Sequence, residues 1–254
     1  MTKGVAVILL KSFVGEIFPK LLNELLPVLW IILLLASLKP VNEEFNREYL
    51  SKKNCNQLRG FLALTILLYH TSQKTETGIL LPWFSTFGYL AVSVFYFFSG
   101  YGLQKSYERN KDYKDWFLLK RLPKVVIPYL IAVILFWIMN NCLLGKDLST
   151  KDVLKTFLSG HPIVTYSWYI ISIVNYYVMF WLLMKICGNN KLTMLIGACV
   201  WHMAYIFLCW KMGYSTWWYS DGHLLIIGMA WAAYEDQILK FFCKTSINPD
   251  PQSD

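Results

Sequence analysis

Long apolar runs alternate with short polar segments along most of the chain. Seven runs are long enough to cross a bilayer, with boundaries near 21–38, 58–76, 84–104, 125–144, 166–185, 192–210 and 216–234. A helix needs about 20 predominantly apolar residues to span the hydrocarbon core. The pattern therefore predicts an all-α fold, a polytopic membrane helical bundle of about seven transmembrane helices.

The composition supports a membrane protein and excludes a soluble globular domain. Of the 254 residues, 56% are hydrophobic and only 16% are charged, whereas soluble domains carry about 25% charged residues. Aromatic residues make up 17% of the chain, which suits a protein with many helix ends at a membrane interface.

The formal charge of +8 raises the question of nucleic-acid binding, which the distribution of charge argues against. Nucleic-acid binders cluster Lys and Arg on an exposed face, whereas here they occupy short segments between apolar runs. Placing segments 39–59 and 105–124 in the cytoplasm puts about twice as many basic residues on that side as on the other. We therefore expect the lipid bilayer as a partner, no nucleic acid, an outer N-terminus and a cytoplasmic C-terminus.

The cysteines indicate neither redox chemistry nor a metal site. The chain has six, with no C-x-x-C pair and no His at zinc-finger spacing. We predict no metal and no bound prosthetic group.

Two ionisable residues in the second apolar run are candidates for chemistry. Arg59 and His70 are eleven residues apart, so on a helix their side chains point within about 20° of each other, about 16 Å apart along the axis. Placing an ionisable residue in a membrane span costs free energy, so such residues often have a function. Two plainer interpretations remain open: Arg59 as an interfacial anchor, and His70 as a buried histidine bonded to a neighbouring helix.

Three motifs in this order resemble the acyltransferase-3 family of membrane-bound O-acyltransferases. The first is the Arg59 to His70 spacing after Leu58, and the second is an aromatic helix with a Ser-Gly pair. The third is a basic segment in the loop after that helix. The second and third motifs read Phe97-Phe98-Ser99-Gly100-Tyr101 and Lys120-Arg121-Leu122-Pro123-Lys124-Val125-Val126-Ile127-Pro128. The resemblance covers about residues 50–235.

The resemblance implies an enzyme that moves an acyl group, usually acetyl, from cytoplasmic acyl-CoA. The acceptor would be a hydroxyl of a surface polysaccharide, peptidoglycan or a lipid-linked sugar. Acyl-CoA would be a co-substrate, the glycan or lipid-linked sugar the other partner, and no cofactor would be bound. A homo-oligomer or a larger membrane complex is left open.

The resemblance also assigns roles to residues. His70 matches the family's essential histidine and Arg59 its arginine, so His70 would act as general base or acyl carrier and Arg59 would contact CoA. Arg121 and Lys124 are candidates for the CoA phosphates, although ordinary positive-inside charge explains them as well. Asp221 and His223, at the outer half of the last span, are candidates for contact with the acceptor sugar.

The chain departs from the family's pattern in its number of helices. Fewer spans are predicted than the family usually has, and one of them precedes the family's usual first helix. By comparison with the family, we expect its C-terminal helices to be missing. Lys124 stands where the basic segment usually has a second arginine. An alternative is therefore a truncated, catalytically silent family member that acts as a membrane binding or assembly partner.

These inferences divide the chain into three parts in a multi-pass protein of the cell (plasma or inner) membrane. Residues 1–49 form an N-terminal apolar segment with one extra transmembrane helix and a cytoplasmic linker. Residues 50–235 form the acyltransferase-3-like domain, and residues 236–254 form a cytoplasmic tail.

Overall fold

The computed structural model describes residues 18–37, 49–75, 79–110, 112–159, 163–164 and 166–246, and these residues contain helices and no strand. Two 3-10 segments, Leu81–Thr86 and Thr216–Trp218, interrupt the series of α-helices. In chain order the helices are α1 Phe18–Ser37, α2 Lys52–Ser72, α3 Gly88–Arg109, α4 Tyr113–Cys142, α5 Thr150–Ser159, α6 Trp168–Cys187, α7 Lys191–Lys211 and α8 Gly222–Ser246.

The all-α class is confirmed, but the number of seven spans is not. Within the described residues, three helices are long and apolar enough to cross a membrane, namely α4, α6 and α7. A shorter apolar stretch, Asn23–Ser37, lies in α1. Helices α2, α3 and α8 coincide with predicted spans, but they carry more polar and charged residues.

Several boundaries differ from those predicted. Helix α8 begins at Gly222 and continues to Ser246, so the first part of the predicted tail, residues 236–246, is helical. The short helix α5 lies in the predicted loop between two spans. The apolar segment before residue 18, most of the linker at 39–49 and the last eight residues lie outside the described part of the chain.

The basic segment is a helix, where the sequence predicted a loop. Helix α3 ends at Arg109, and α4 starts at Tyr113 and runs for 30 residues, about 45 Å. Arg121 and Lys124 therefore lie inside a continuous helix. Strong helix formers such as Lys, Leu and Arg dominate its first turns, and they outweigh the helix-breaking tendency of Pro123.

The chain divides into two compact units, residues 1–95 and 96–254. In unit 1, α1, α2 and the 3-10 segment Leu81–Thr86 pack together. Their core contains the buried side chains of Leu68, Leu81 and Phe84, with Leu26 and Trp30 packed against them. Helix α2 begins after Ser51, whose hydroxyl accepts a hydrogen bond from the Asn54 backbone N–H.

In unit 2, α6 is the central helix and packs against both α4 and α7. Phe117 of α4 is fully buried, and its ring contacts the rings of Tyr177 and Phe180 on α6. Helix α5 starts with half of a capping box: the Asp152 carboxylate accepts hydrogen bonds from the N–H and the hydroxyl of Ser149. These hydrogen bonds hold the pKa of the Asp152 carboxyl below its usual range.

One end of unit 2 brings together the C-terminal end of α3, the segment between α6 and α7, and the middle of α8. Lys105 of α3 forms an ion pair with Glu235 of α8 at 2.7 Å, and Lys191 pairs with Glu108 at 2.8 Å. The Tyr107 hydroxyl donates to the carbonyl of Gly188 between α6 and α7, at 2.9 Å. These contacts agree with a common side for the three segments.

Two glycines let α3 and α8 cross with their backbones in contact. A Cβ atom on Gly100 would overlap the carbonyl oxygen of Leu225, and one on Gly228 would overlap the carbonyl of Phe97. Small residues allow such close approach between helices in membranes.

We expect Gly100→Ala and Gly228→Ala each to destabilise the protein by about 1–3 kcal/mol, because the added methyl group forces two backbones apart. Thermal unfolding in detergent measures the effect. The matched control is Gly102→Ala, where a Cβ meets no atom within 4 Å. Equal melting temperatures for all three variants would contradict this account of the crossing.

Candidate active site

Arg59 and His70 lie on one continuous helix, which the prediction from their spacing assumed. Both belong to α2 and both are partly exposed. Arg59 donates from Nη1 to the side-chain oxygen of Asn56 at 3.2 Å. Nδ1 of His70 lies 3.3 Å from Oε1 of Gln73, and its ring lies 5.0 Å from that of Tyr69.

The side of α2 that carries Arg59 and His70 is roughly opposite the side that packs within unit 1. Thr65 and Leu68 are buried, and they lie about 180–240° around the helix from Arg59 at 100° per residue. The structure thus separates a packing side from a side that carries the ionisable groups.

The contact with Gln73 favours a histidine that can accept a proton. When Nδ1 donates to the amide oxygen of Gln73, Nε2 of the neutral ring keeps its lone pair. A neutral imidazole in this tautomer can act as a general base through Nε2.

Arg121 and Lys124, the predicted phosphate-binding residues, lie one turn apart on α4. Arg121 donates from Nε to the Tyr113 hydroxyl at 2.7 Å, and its guanidinium lies 6.0 Å from the centre of that ring. Lys124 borders a cavity of about 420 Å³ between α4 and α6. The other lining residues are mostly apolar or aromatic: Val125, Pro128, Tyr129, Ala132, Tyr169, Ile170, Ile173 and Tyr177.

Asp221 and His223, the predicted acceptor-binding residues, lie where α8 begins. Asp221 is buried and His223 is exposed. His223 donates from Nδ1 to the carbonyl of Ser220 at 2.7 Å. Its ring lies 6.4 Å from that of His202 on α7.

A buried polar network that the sequence did not predict lies next to this pair. The Tyr176 hydroxyl and Nδ1 of His202 form a hydrogen bond of 2.7 Å, and a Cβ on Gly222 would overlap that hydroxyl. Ser172 and Tyr205 both donate to the carbonyl of Trp218, each at 3.3 Å. One signal was present in the sequence: Ser172 and Tyr176 are four residues apart, so they share one face of a largely apolar helix.

The candidate residues thus form three pairs, each placed by its own helix. Arg59 and His70 belong to unit 1, whereas the pairs on α4 and α8 belong to unit 2. In the part of the chain that the structure describes, no group of three or more His, Cys, Asp and Glu side chains could hold a metal ion.

The helices define the class of protein, an all-α membrane protein with several apolar helices. A family model described as an acyltransferase domain, that of the acyltransferase-3 family, matches residues 53–247. The match covers most of the chain, which therefore belongs to this family, and it supports an acyltransferase function of the general kind. No curated protein and no solved structure matches the chain.

We expect Tyr176→Phe to lower stability by about 1–3 kcal/mol, because it removes the partner of a buried His202 nitrogen. Unfolding in detergent, followed by circular dichroism, measures the change. Tyr89→Phe is the control, since Tyr89 is 59% exposed. If the two variants unfold alike, the bond to His202 contributes nothing to stability.

Proposed function

We propose that the protein is a membrane-bound O-acyltransferase that moves an acyl group, in the simplest case acetyl, from acyl-CoA. The acceptor is a hydroxyl of a surface polysaccharide, peptidoglycan or a lipid-linked sugar, and the protein is a multi-pass component of the cell membrane. One observation carries the proposal: within the region matched by the family model, α2 presents Arg59 and His70 on one side, eleven residues apart.

His70 supplies the proton transfer that the reaction needs. The acceptor oxygen attacks the thioester carbonyl, its proton passes to Nε2 of His70, and the carbon–sulfur bond breaks. The proton then passes from the imidazolium to the departing CoA thiolate, which restores the neutral histidine. A covalent variant, in which His70 carries the acyl group transiently, uses the same nitrogen.

Arg59 binds the other end of the co-substrate. A guanidinium suits contact with phosphate through paired hydrogen bonds. Its separation of about 16 Å from His70 along the axis leaves room for the extended pantetheine arm between phosphate and thioester. In this proposal Arg121 and Lys124 supply further positive charge for the CoA phosphates, and Asp221 and His223 contact the acceptor.

We expect His70→Ala to lower acyl transfer by about 10²- to 10⁴-fold, the usual contribution of a general base. Transfer from radiolabelled acetyl-CoA into glycan or lipid-linked sugar is measured in membranes that contain equal amounts of inserted protein. Leu67→Ala, an exposed position on the same helix, is the control and keeps wild-type transfer.

Two outcomes would overturn the proposal. Wild-type transfer by His70→Ala would remove His70 from the chemistry. No label from the wild-type protein, with insertion verified, would instead favour the silent family member, which acts as a membrane binding or assembly partner.

We expect Arg59→Ala to raise the KM for acetyl-CoA by about 10- to 100-fold, which corresponds to the loss of a charge-assisted contact of about 1.5–3 kcal/mol. Arg59→Lys keeps the charge but loses the paired hydrogen bonds, so its KM for acetyl-CoA lies between the values of the wild type and of Arg59→Ala. Lys53→Ala, an exposed basic residue on the same helix, is the control. If the KM rises equally in Lys53→Ala, the effect comes from general charge at this end of α2.

A further inference from the structure

Helix α1 lies outside the region that matches the family model, which begins at residue 53, yet it packs against the helix that carries His70. We propose that α1 is a positioning element of the active site: Trp30 and Glu24 fix the direction in which α2 presents His70. The inference rests on the proposed function for His70 and adds residues that the family match does not include.

The first contact joins α1 to the middle of α2. Trp30 donates from its indole N–H to the Thr65 hydroxyl oxygen at 2.9 Å. Its ring packs on Phe61 at 4.5 Å and edge-on against Phe84 at 5.1 Å. The Thr65 hydroxyl itself donates to the carbonyl of Phe61 at 3.1 Å. Thr65 is buried, so it uses both its donor and its acceptor where an unpaired group would be costly.

The second contact joins α1 to the segment that follows α2. The Glu24 carboxylate accepts hydrogen bonds from the backbone N–H groups of Ile79 and Leu80, the latter at 3.2 Å. These residues come immediately before the 3-10 segment Leu81–Thr86. Hydrogen bonds to an ionised acceptor are about twice as strong as neutral ones. Helix α1 therefore holds both α2 and the chain beyond its C-terminal end.

The third contact fixes the residue next to His70. The ring of Tyr69 lies against the backbone of Gly88 so closely that a Cβ there would overlap it. The same ring lies 5.0 Å from that of His70. All of these residues belong to unit 1.

Together the contacts resist rotation of α2 about its axis. Each residue along a helix turns by about 100°, so a modest rotation would aim His70 in a different direction while leaving the helix intact. The indole bond to Thr65 and the ring packing on Phe61 lie on the side opposite His70. Rotation would break this bond and separate the packed rings, so α1 sets the direction of the imidazole.

The kinetic test uses Trp30→Phe, Thr65→Val and the double variant in the full-length chain. Trp30→Phe keeps an aromatic ring and loses the N–H donor, and Thr65→Val keeps the shape and loses the hydroxyl. We expect each to lower kcat by about tenfold, with the KM for acetyl-CoA unchanged, since misplacement by about 1 Å can cost up to 100-fold. The double variant is no slower than either single variant, because both remove the same bond.

Trp83→Phe is the matched control, because Trp83 lies in the same unit and is 71% exposed. A purely structural role for Trp30 would lower the amount of folded protein while leaving kcat per folded molecule unchanged. Unchanged kcat at equal folded amounts would overturn the inference.

A second measurement does not depend on activity. Carbethoxylation of His70 by diethylpyrocarbonate is followed by mass spectrometry, with the exposed His223 in unit 2 as internal reference. We expect the rate at His70 to change by about threefold or more in Trp30→Phe and in Thr65→Val, as local packing loosens, while the rate at His223 stays constant. Unchanged rates at both histidines would overturn the inference. If wild-type protein transfers no acyl group, the proposed function fails, and the rate at His70 still decides whether α1 controls its surroundings.

Discussion

A polar side chain between apolar helices is costly unless another group satisfies it, and this cost decides which faces of the helices meet. The indole N–H of Trp30 meets the hydroxyl of Thr65 in unit 1. In unit 2 the Tyr176 hydroxyl meets His202, and the carbonyl of Trp218 accepts from two hydroxyl groups. Apolar contact alone is non-directional, so these few polar pairs give the packing its specificity.

The same constraint separates the two kinds of surface on α2. The side with Thr65 and Leu68 is satisfied by contacts within unit 1. The side with Arg59 and His70 carries groups that can exchange protons or bind anions. A helix of 21 residues thus combines a structural side with a side suited to acyl transfer, the general activity of the family.

The sequence predicted what depends on helical periodicity and little of what depends on contacts between distant segments. The common side of Arg59 and His70 follows from their spacing alone. His202 lies within an apolar helix, where a histidine needs a hydrogen-bonding partner. Its partner Tyr176 is 26 residues away, and no local pattern identifies it.

The predicted helix boundaries are wrong where the amino-acid composition is compatible with both a loop and a helix. The start of α4 is rich in Lys and Arg, which typify both cytoplasmic loops and exposed helices, and here helix propensity prevails. The number of seven spans is not confirmed, because helices of mixed polarity such as α2 are less apolar than the three helices that are long and apolar enough to cross a membrane. The contact of α1 with α2 joins residues 35 positions apart, beyond the reach of periodicity.

The crossing of α3 and α8 also determines how related sequences can vary. The contact between α6 and α7 provides a contrast. There, a side chain at Gly197 would meet the side chain of Leu183. A smaller residue at position 183 makes room for it, so the two positions can change together. Gly100 and Gly228 instead face backbone carbonyl atoms. No exchange of side chains on the opposite helix moves those atoms, so covariation cannot compensate a substitution at either position.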